Sequence, residues 1–174
     1  MVTIPNPGWQ SWHSSALYGE TPTTPTSIDS TVERYLDAGV PAAKLGIGIG
    51  FFGACYTPPV TGPKQDLRGG TVAASDNDMS YHNIMTRYYA DAARIWDDEA
   101  KSPYLTFATA TGPLGCGFIS YDDAQSIGER AAYVDSRGLG GAIVWTINQG
   151  YLPDAPAGSR DPLMDALRTT FLHR

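Results

Sequence analysis

The side chains best suited to covalent chemistry are the thiol of Cys55 and the imidazoles of His13 and His82. A thiolate with a nearby histidine as its base is a nucleophile, so one hypothesis is a hydrolase of activated esters or phosphotriesters. A lone buried cysteine is usually inert. Cys55 could also form a disulfide with Cys116, the only other cysteine, and the spacing of the two residues does not decide between a bridge and free thiols.

Other residues could bind a ligand without reacting with it. Four tryptophans and ten tyrosines are a heavy aromatic load for 174 residues, and such rings can form a platform for sugars. Trp9 and Trp12 lie in a stretch rich in Pro, Thr, Ser and Gly, where packing under the loop is the alternative. Asp76-Asn-Asp78 is similar to part of a calcium loop but lacks its glycine and closing glutamate, so we expect no metal and no cofactor.

Charge and hydropathy exclude two classes of partner. The net charge is −6 and the twelve basic residues are scattered, whereas a nucleic-acid backbone requires a basic stripe. No apolar run approaches the roughly 20 residues that span a bilayer. Residues 1–20 lack a charged start followed by an apolar stretch, so we expect no signal peptide in this chain. These features predict a soluble protein without nucleic-acid or membrane partners, and they leave its location unknown.

Cap residues and hydrophobic spacing predict the elements that position these side chains. Ser27 suits a helix N-cap and Gly39 a helix end, and an apolar strand follows at 44–52. A second helix at 122–137 precedes a strand at 140–147, which is apolar nearly throughout, as parallel strands are. A helix followed by such a strand is typical of an α/β fold. The remaining predictions are a loop with at most short strands at 54–80, helices at 81–93 and 161–172, and short strands at 96–98, 104–108 and 117–121.

Several stretches together resemble the last quarter of a family 18 glycoside hydrolase, a chitinase-type barrel. Residues 35–53 resemble the family's passage from helix 6 to strand 7, where a Gly-Val-Pro turn leads to a strand ending in Phe-Tyr-Gly. Residues 118–123 resemble the Tyr-Asp-Asp entry to helix 7, and residues 139–145 resemble strand 8 with its terminal Trp. The loop at 9–18 is similar to the stretch that follows strand 6.

The resemblance implies an α/β fold with a partial TIM-barrel sheet and a small inserted α+β lobe. Within one domain of residues 1–174, segments 27–53 and 122–174 would form the barrel part and 54–121 the insertion. Strands 7 and 8 are neighbours in the family, so the two predicted apolar strands should pair directly and in parallel. An intact barrel takes about 250 residues, so this chain would supply only part of one.

The matches do not include the family's catalytic residues. The general acid of the family closes an Asp-x-x-Asp-x-Asp-x-Glu motif on strand 4, and these 174 residues contain no such spacing. The strand 6 Met-x-Tyr-Asp motif is also missing, and Phe52 and Thr146 stand where the family has Tyr and often Glu. The resemblance therefore implies a chitinase-like chain without native chitinase activity that binds a chito-oligosaccharide-like ligand weakly.

Three further residues gain a ligand-binding role from the resemblance. Trp145 resembles the tryptophan that floors the sugar subsite of the family, and Tyr121 and Asp122 belong to the Tyr-Asp-Asp stretch. A core or interface position is the alternative for Trp145. An N-cap position at the helix start is the alternative for Asp122 and Asp123.

A partial barrel would also have exposed strand edges. A closed barrel has no edges, but part of one leaves unpaired N–H and C=O groups that can pair with another copy. It would also uncover Ile47, Ile49, Phe51, Ile143 and Trp145, or their alternate neighbours. We therefore expect a homodimer, with a Pro-rich N-terminal segment folded over the open side as the alternative.

Overall fold

Residues 7–172 are described by a computed structural model, and they form two sheets and four α-helices. In chain order the elements are α1 (Ile28–Asp37), β1 (Gly46–Gly50), β2 (Phe52–Tyr56), β3 (Val72–Ser80), α2 (Tyr81–Arg87), β4 (Arg94–Asp97), β5 (Ser102–Thr111), β6 (Cys116–Ser120), α3 (Ala124–Ser136), β7 (Gly141–Trp145) and α4 (Pro162–Leu167). This architecture confirms the expected α/β class.

The first sheet is the parallel pair of β1 and β7. Its register runs from Gly46 opposite Gly141 to Gly50 opposite Trp145 without a shift. Helix α3 directly precedes β7 in the chain and packs against β1. The direct parallel pairing of the two predicted apolar strands is therefore confirmed.

Both helices that precede these strands begin at side chains that cap them. Ser27 accepts a hydrogen bond from the N–H of Ser30, whose hydroxyl accepts one from the N–H of Ser27. Asp123 and Ser126 make the same reciprocal pair at the start of α3. Each pair satisfies N–H groups that have no partner inside the helix, which fixes where the helix starts.

The second sheet is antiparallel and has the strand order β3-β2-β6-β5-β4. The chain passes from β1 into this sheet through a single residue, Phe51. The N–H of Phe51 donates to Trp145 O in the first sheet, and its C=O accepts from Tyr81 N beside the second. Gly53 is required just after this point, since a Cβ there would lie 2.2 Å from Ser120 O.

Three predicted elements differ in the structure. The segment expected to be a loop at 54–80 contains the end of β2 and the nine-residue strand β3. The sequence gives no sign of β3 because only the last two residues of this strand are buried. The strand expected at 44–52 is split between two sheets. The helix expected at 81–93 ends at Arg87, and Asp91–Ala93 form a separate 3₁₀ turn. No helix among residues 7–172 is long and apolar enough to cross a membrane.

Candidate functional site

One face of the β1–β7 sheet carries large exposed apolar side chains. Side chains that are paired across a parallel ladder point to the same face, so Ile143 and Trp145 lie on the face of Gly48 and Gly50. Ile143 is 67% exposed and Trp145 is 61% exposed. We call this surface, formed by the glycines of β1 together with Ile143 and Trp145, the open face.

The register corrects the expected composition of this face. Ile47 and Ile49 lie on the opposite face and are buried, and Phe51 between the sheets is fully buried. The glycines of β1 therefore leave the backbone bare beside Ile143 and Trp145. A Cβ at Gly48 would meet no atom within 4 Å, which shows how open the surface is.

The carboxyl ends of β1 and β7 meet a rim made by other elements. The turn Ile147–Gly150 follows β7 directly, and Ile147 is 56% exposed. His82, at the start of α2, has Nδ1 at 3.1 Å from Tyr151 O. Trp145 therefore lies where the parallel sheet, the 3₁₀ turn and the β3–α2 segment come together.

A cavity of about 480 Å³ lies along the other side of β1. Phe51 N donates to Trp145 O and Gly140 N donates to Leu45 O, so the peptide groups of odd-numbered residues point toward β7. Those of Gly46 and Gly48 consequently point to the opposite edge, where no described strand pairs with β1. The cavity walls include Gly46, Gly48, the loop at 13–16 and the first turns of α1.

The hypothesis of a nucleophilic Cys55 is wrong. Cys55 and Cys116 form a disulfide between β2 and β6, with an S–S distance of 2.05 Å and both residues fully buried. A bridged sulfur has no thiolate to attack a substrate. The site near Cys55 expected to hydrolyse activated esters or phosphotriesters therefore lacks its thiol nucleophile.

His13, one of the two candidate histidine bases, forms its hydrogen bond with a carboxylate of the second sheet. His13 is buried, with Nε2 at 3.0 Å from Asp97 Oδ2, and its ring lies edge-on to Tyr104 and Phe118. Burial acts to raise the pKa of Asp97, but hydrogen bonds from His13 and from the N–H of Ala100 outweigh it and lower that pKa. His13 and Asp97 therefore tie the N-terminal loop to the second sheet.

The two N-terminal tryptophans have different surroundings. Trp12 is only 4% exposed, and its indole N–H donates to Thr26 O at 2.9 Å. The Lys64 ammonium lies 5.2 Å from the Trp12 ring centroid. Trp12 therefore packs within the protein, which is the alternative to stacking on a sugar, whereas Trp9 is half-buried.

Tyr121 and Asp122 are both buried, unlike surface ligand contacts. Asp122 pairs with the buried Arg130 at 2.7 Å and accepts hydrogen bonds from the hydroxyls of Ser15 and Ser126. Both carboxylate oxygens are thus occupied, so Asp122 fastens the N-terminal loop to α3 instead of contacting a ligand. Burial raises the pKa of the Tyr121 phenol, whose hydroxyl has no partner among the described residues.

Arg130 is the residue that sequence reasoning missed. It is fully buried, and its guanidinium also donates to the main-chain oxygens of Ser15 and Ser126. A charged residue on the buried side of an amphipathic helix was the available signal. Among residues 7–172 no cluster of His, Cys, Asp and Glu is arranged to hold a metal ion.

A model of the glycosyl hydrolases family 18 matches residues 5–150. The chain belongs to this family. Chitinase A1 of Niallia circulans is 33% identical over an alignment of 154 residues that covers 80% of this chain and 21% of that protein. The chain therefore spans about a fifth of the length of that curated relative.

Solved family 18 structures share the fold of this chain. The family 18 N-acetylglucosaminidase from Paenibacillus barengoltzii superposes with a TM-score of 0.72 at 28% identity, over 97% of this chain and 46% of that one. Human YKL-39, a pseudo-chitinase with retained chitooligosaccharide binding properties, gives a TM-score of 0.71 at 19% identity, over 92% of this chain and 45% of its own. The α/β fold of residues 7–172 is thus that of part of a chitinase-like TIM barrel.

Proposed function

We propose that this family 18 chain binds chito-oligosaccharides on the open face and does not cleave them. The observation that carries the proposal is the exposure of Trp145 at the carboxyl end of β7. An aromatic ring of this size, 61% exposed beside bare backbone, offers an apolar plane to one face of a sugar ring. The glycines of β1 leave room for the sugar to lie flat across both strands.

One structural neighbour supports binding without cleavage. YKL-39 shares the fold and is a pseudo-chitinase that retains chitooligosaccharide binding. Family 18 hydrolysis is substrate-assisted and requires an acid to protonate the leaving oxygen. The 174 residues contain no Asp-x-x-Asp-x-Asp-x-Glu spacing to provide that acid. General-acid catalysis contributes about 10²- to 10⁴-fold to a rate, so its loss would leave binding as the main function.

We predict that Trp145→Ala weakens the binding of chitotetraose at least tenfold, since about 1.4 kcal/mol of lost stacking has that effect. Isothermal titration calorimetry measures the dissociation constant of chitotetraose for the wild type and for the variant. Tyr35→Ala is the matched control, because Tyr35 is an aromatic residue on α1 that is 54% exposed and outside the open face. Equal affinities of the wild type and Trp145→Ala would rule out the open face as the binding surface.

We further propose that two copies pair through the free edge of β1. The N–H and C=O groups of Gly46 and Gly48 line a cavity of about 480 Å³, and such an edge accepts another strand. Pairing two identical edges about a two-fold axis is the commonest closed arrangement. Edge pairing leaves the open face, including Trp145, available to a ligand.

We predict a mass of about twice 18.7 kDa by light scattering during size-exclusion chromatography at micromolar concentrations. Gly48→Pro should return the mass to 18.7 kDa, because it removes an N–H that points to the free edge and leaves the β1–β7 ladder intact. A wild-type mass of 18.7 kDa throughout the concentration range would show that the edge does not pair.

A further inference from the structure

Strand β3 carries a bulge beside the carboxyl end of β7. Its register with β2 moves from Ser80 opposite Phe52 to Ser75 opposite Ala54, so residues 76–79 leave the regular ladder. Asp76 has a φ of +54°, a conformation that Asp and Asn adopt more readily than most residues. Bulges of this kind redirect side chains and are common next to binding sites.

Gln149 connects this bulge to the turn after Trp145. Its Nε2 donates to Asp76 Oδ1 at 2.8 Å and to Asn77 Oδ1 at 2.9 Å. The N–H of Gln149 donates to Thr146 O at 3.0 Å, so the side chain originates one turn beyond β7. Gln149 is 4% exposed, and its carboxamide therefore holds the two bulge side chains in place.

The group formed by Gln149, Asp76 and Asn77, which we call the bulge cluster, has more acceptors than donors. Gln149 Oε1 is buried and no described residue donates to it. Asp76 uses one carboxylate oxygen for Gln149, and neither Asp76 nor Asp78 has a cation within 4 Å among residues 7–172. The nearby Asn83 amide donates to the main-chain oxygens of Asn77 and Asp78. The chain thus supplies negative charge and an unfilled acceptor here, and no positive charge.

We propose that the bulge cluster binds the ammonium group of a glucosamine unit in a partially deacetylated chito-oligosaccharide. The inference rests on the proposed function, because the sugar ring is held on the open face by Trp145. An ammonium group carries three donors and a positive charge. The free oxygen of Asp76 accepts from it, and a charge-assisted hydrogen bond to a carboxylate is stronger than a neutral one. An acetylated amino group lacks that charge.

The test compares chitotetraose with the tetramer of glucosamine by titration calorimetry at pH 6 and low ionic strength. We expect the wild type to bind the glucosamine tetramer about tenfold more tightly, with a preference that shrinks as salt is added. Asp76→Asn should remove the preference while keeping chitotetraose binding, since Asn tolerates the positive φ. Asp37→Asn, which removes the same charge from an exposed position at the end of α1, should keep the preference.

The outcomes separate this inference from the proposed function. If the wild type binds neither tetramer, the proposed function fails and the inference fails with it. If chitotetraose binds through Trp145 but the glucosamine tetramer binds no better, or Asp76→Asn keeps the preference, the proposed function stands and the inference is overturned. In a further experiment, calcium chloride alone is titrated into the wild type and into Asp76→Asn. If the wild type binds Ca²⁺ tightly and Asp76→Asn does not, the assignment of the bulge cluster to an ammonium group is overturned.

Discussion

Arg130→Met is expected to lower the free energy of unfolding by about 3–5 kcal/mol, because it leaves the buried carboxylate of Asp122 without its counter-charge. The two side chains of this pair are 0% and 2% exposed. The hydroxyls of Ser15 and Ser126 would still donate to Asp122, but they carry no charge. Urea denaturation followed by circular dichroism measures the loss.

Two further variants test whether the loss of stability comes from the uncompensated charge of Asp122. Arg94→Met breaks the partly exposed pair with Asp123, and exposed pairs contribute less than about 1 kcal/mol. Arg130→Met combined with Asp122→Asn should recover most of the stability, because the uncompensated charge is then gone. A loss from Arg130→Met as small as that from Arg94→Met would contradict the role we give to the buried pair.

Removal of the disulfide is the second change with a large expected effect. Cys55→Ala combined with Cys116→Ala should cost about 4 kcal/mol, since the bridge closes a loop between residues 61 positions apart and so restricts the unfolded chain. The bridge also joins β2 to β6 inside the second sheet. Urea denaturation of the double variant and the oxidised wild type gives the difference.

The disulfide prediction has an internal control. The wild type unfolded and refolded in excess dithiothreitol has the same covalent connectivity as the double alanine variant. The two should therefore agree to within about 1 kcal/mol, apart from the packing of two sulfur atoms. A double variant as stable as the oxidised wild type would mean that the bridge does not stabilise the fold.

The elements around the open face were predictable because their signals are local. Ser27 and Asp123 are capping residues, and each helix begins beside the predicted cap. The apolar patterns at β1 and β7 predicted two strands, and the resemblance to family 18 implied their direct parallel pairing. Because the pair was placed correctly, Trp145 could be assigned to the carboxyl end of a strand.

The features that sequence reasoning left open or missed depend on distant contacts. The disulfide joins residues that become neighbours only when β2 pairs with β6. The burial of Trp12 depends on a loop that packs over Ala100 and accepts its indole N–H at Thr26. β3 lies at an edge of the second sheet, and only its last two residues are buried, so it has no alternating apolar pattern to reveal it.

We propose that this chain binds chito-oligosaccharides and does not hydrolyse them, and one measurement tests both parts. Chitotetraose is titrated into the purified 174-residue protein in a calorimeter, and the recovered sugar is then analysed by mass spectrometry after overnight incubation. We predict saturable binding and intact tetramer. An absence of binding heat, or recovery of the dimer at an enzymatic rate, would contradict the account.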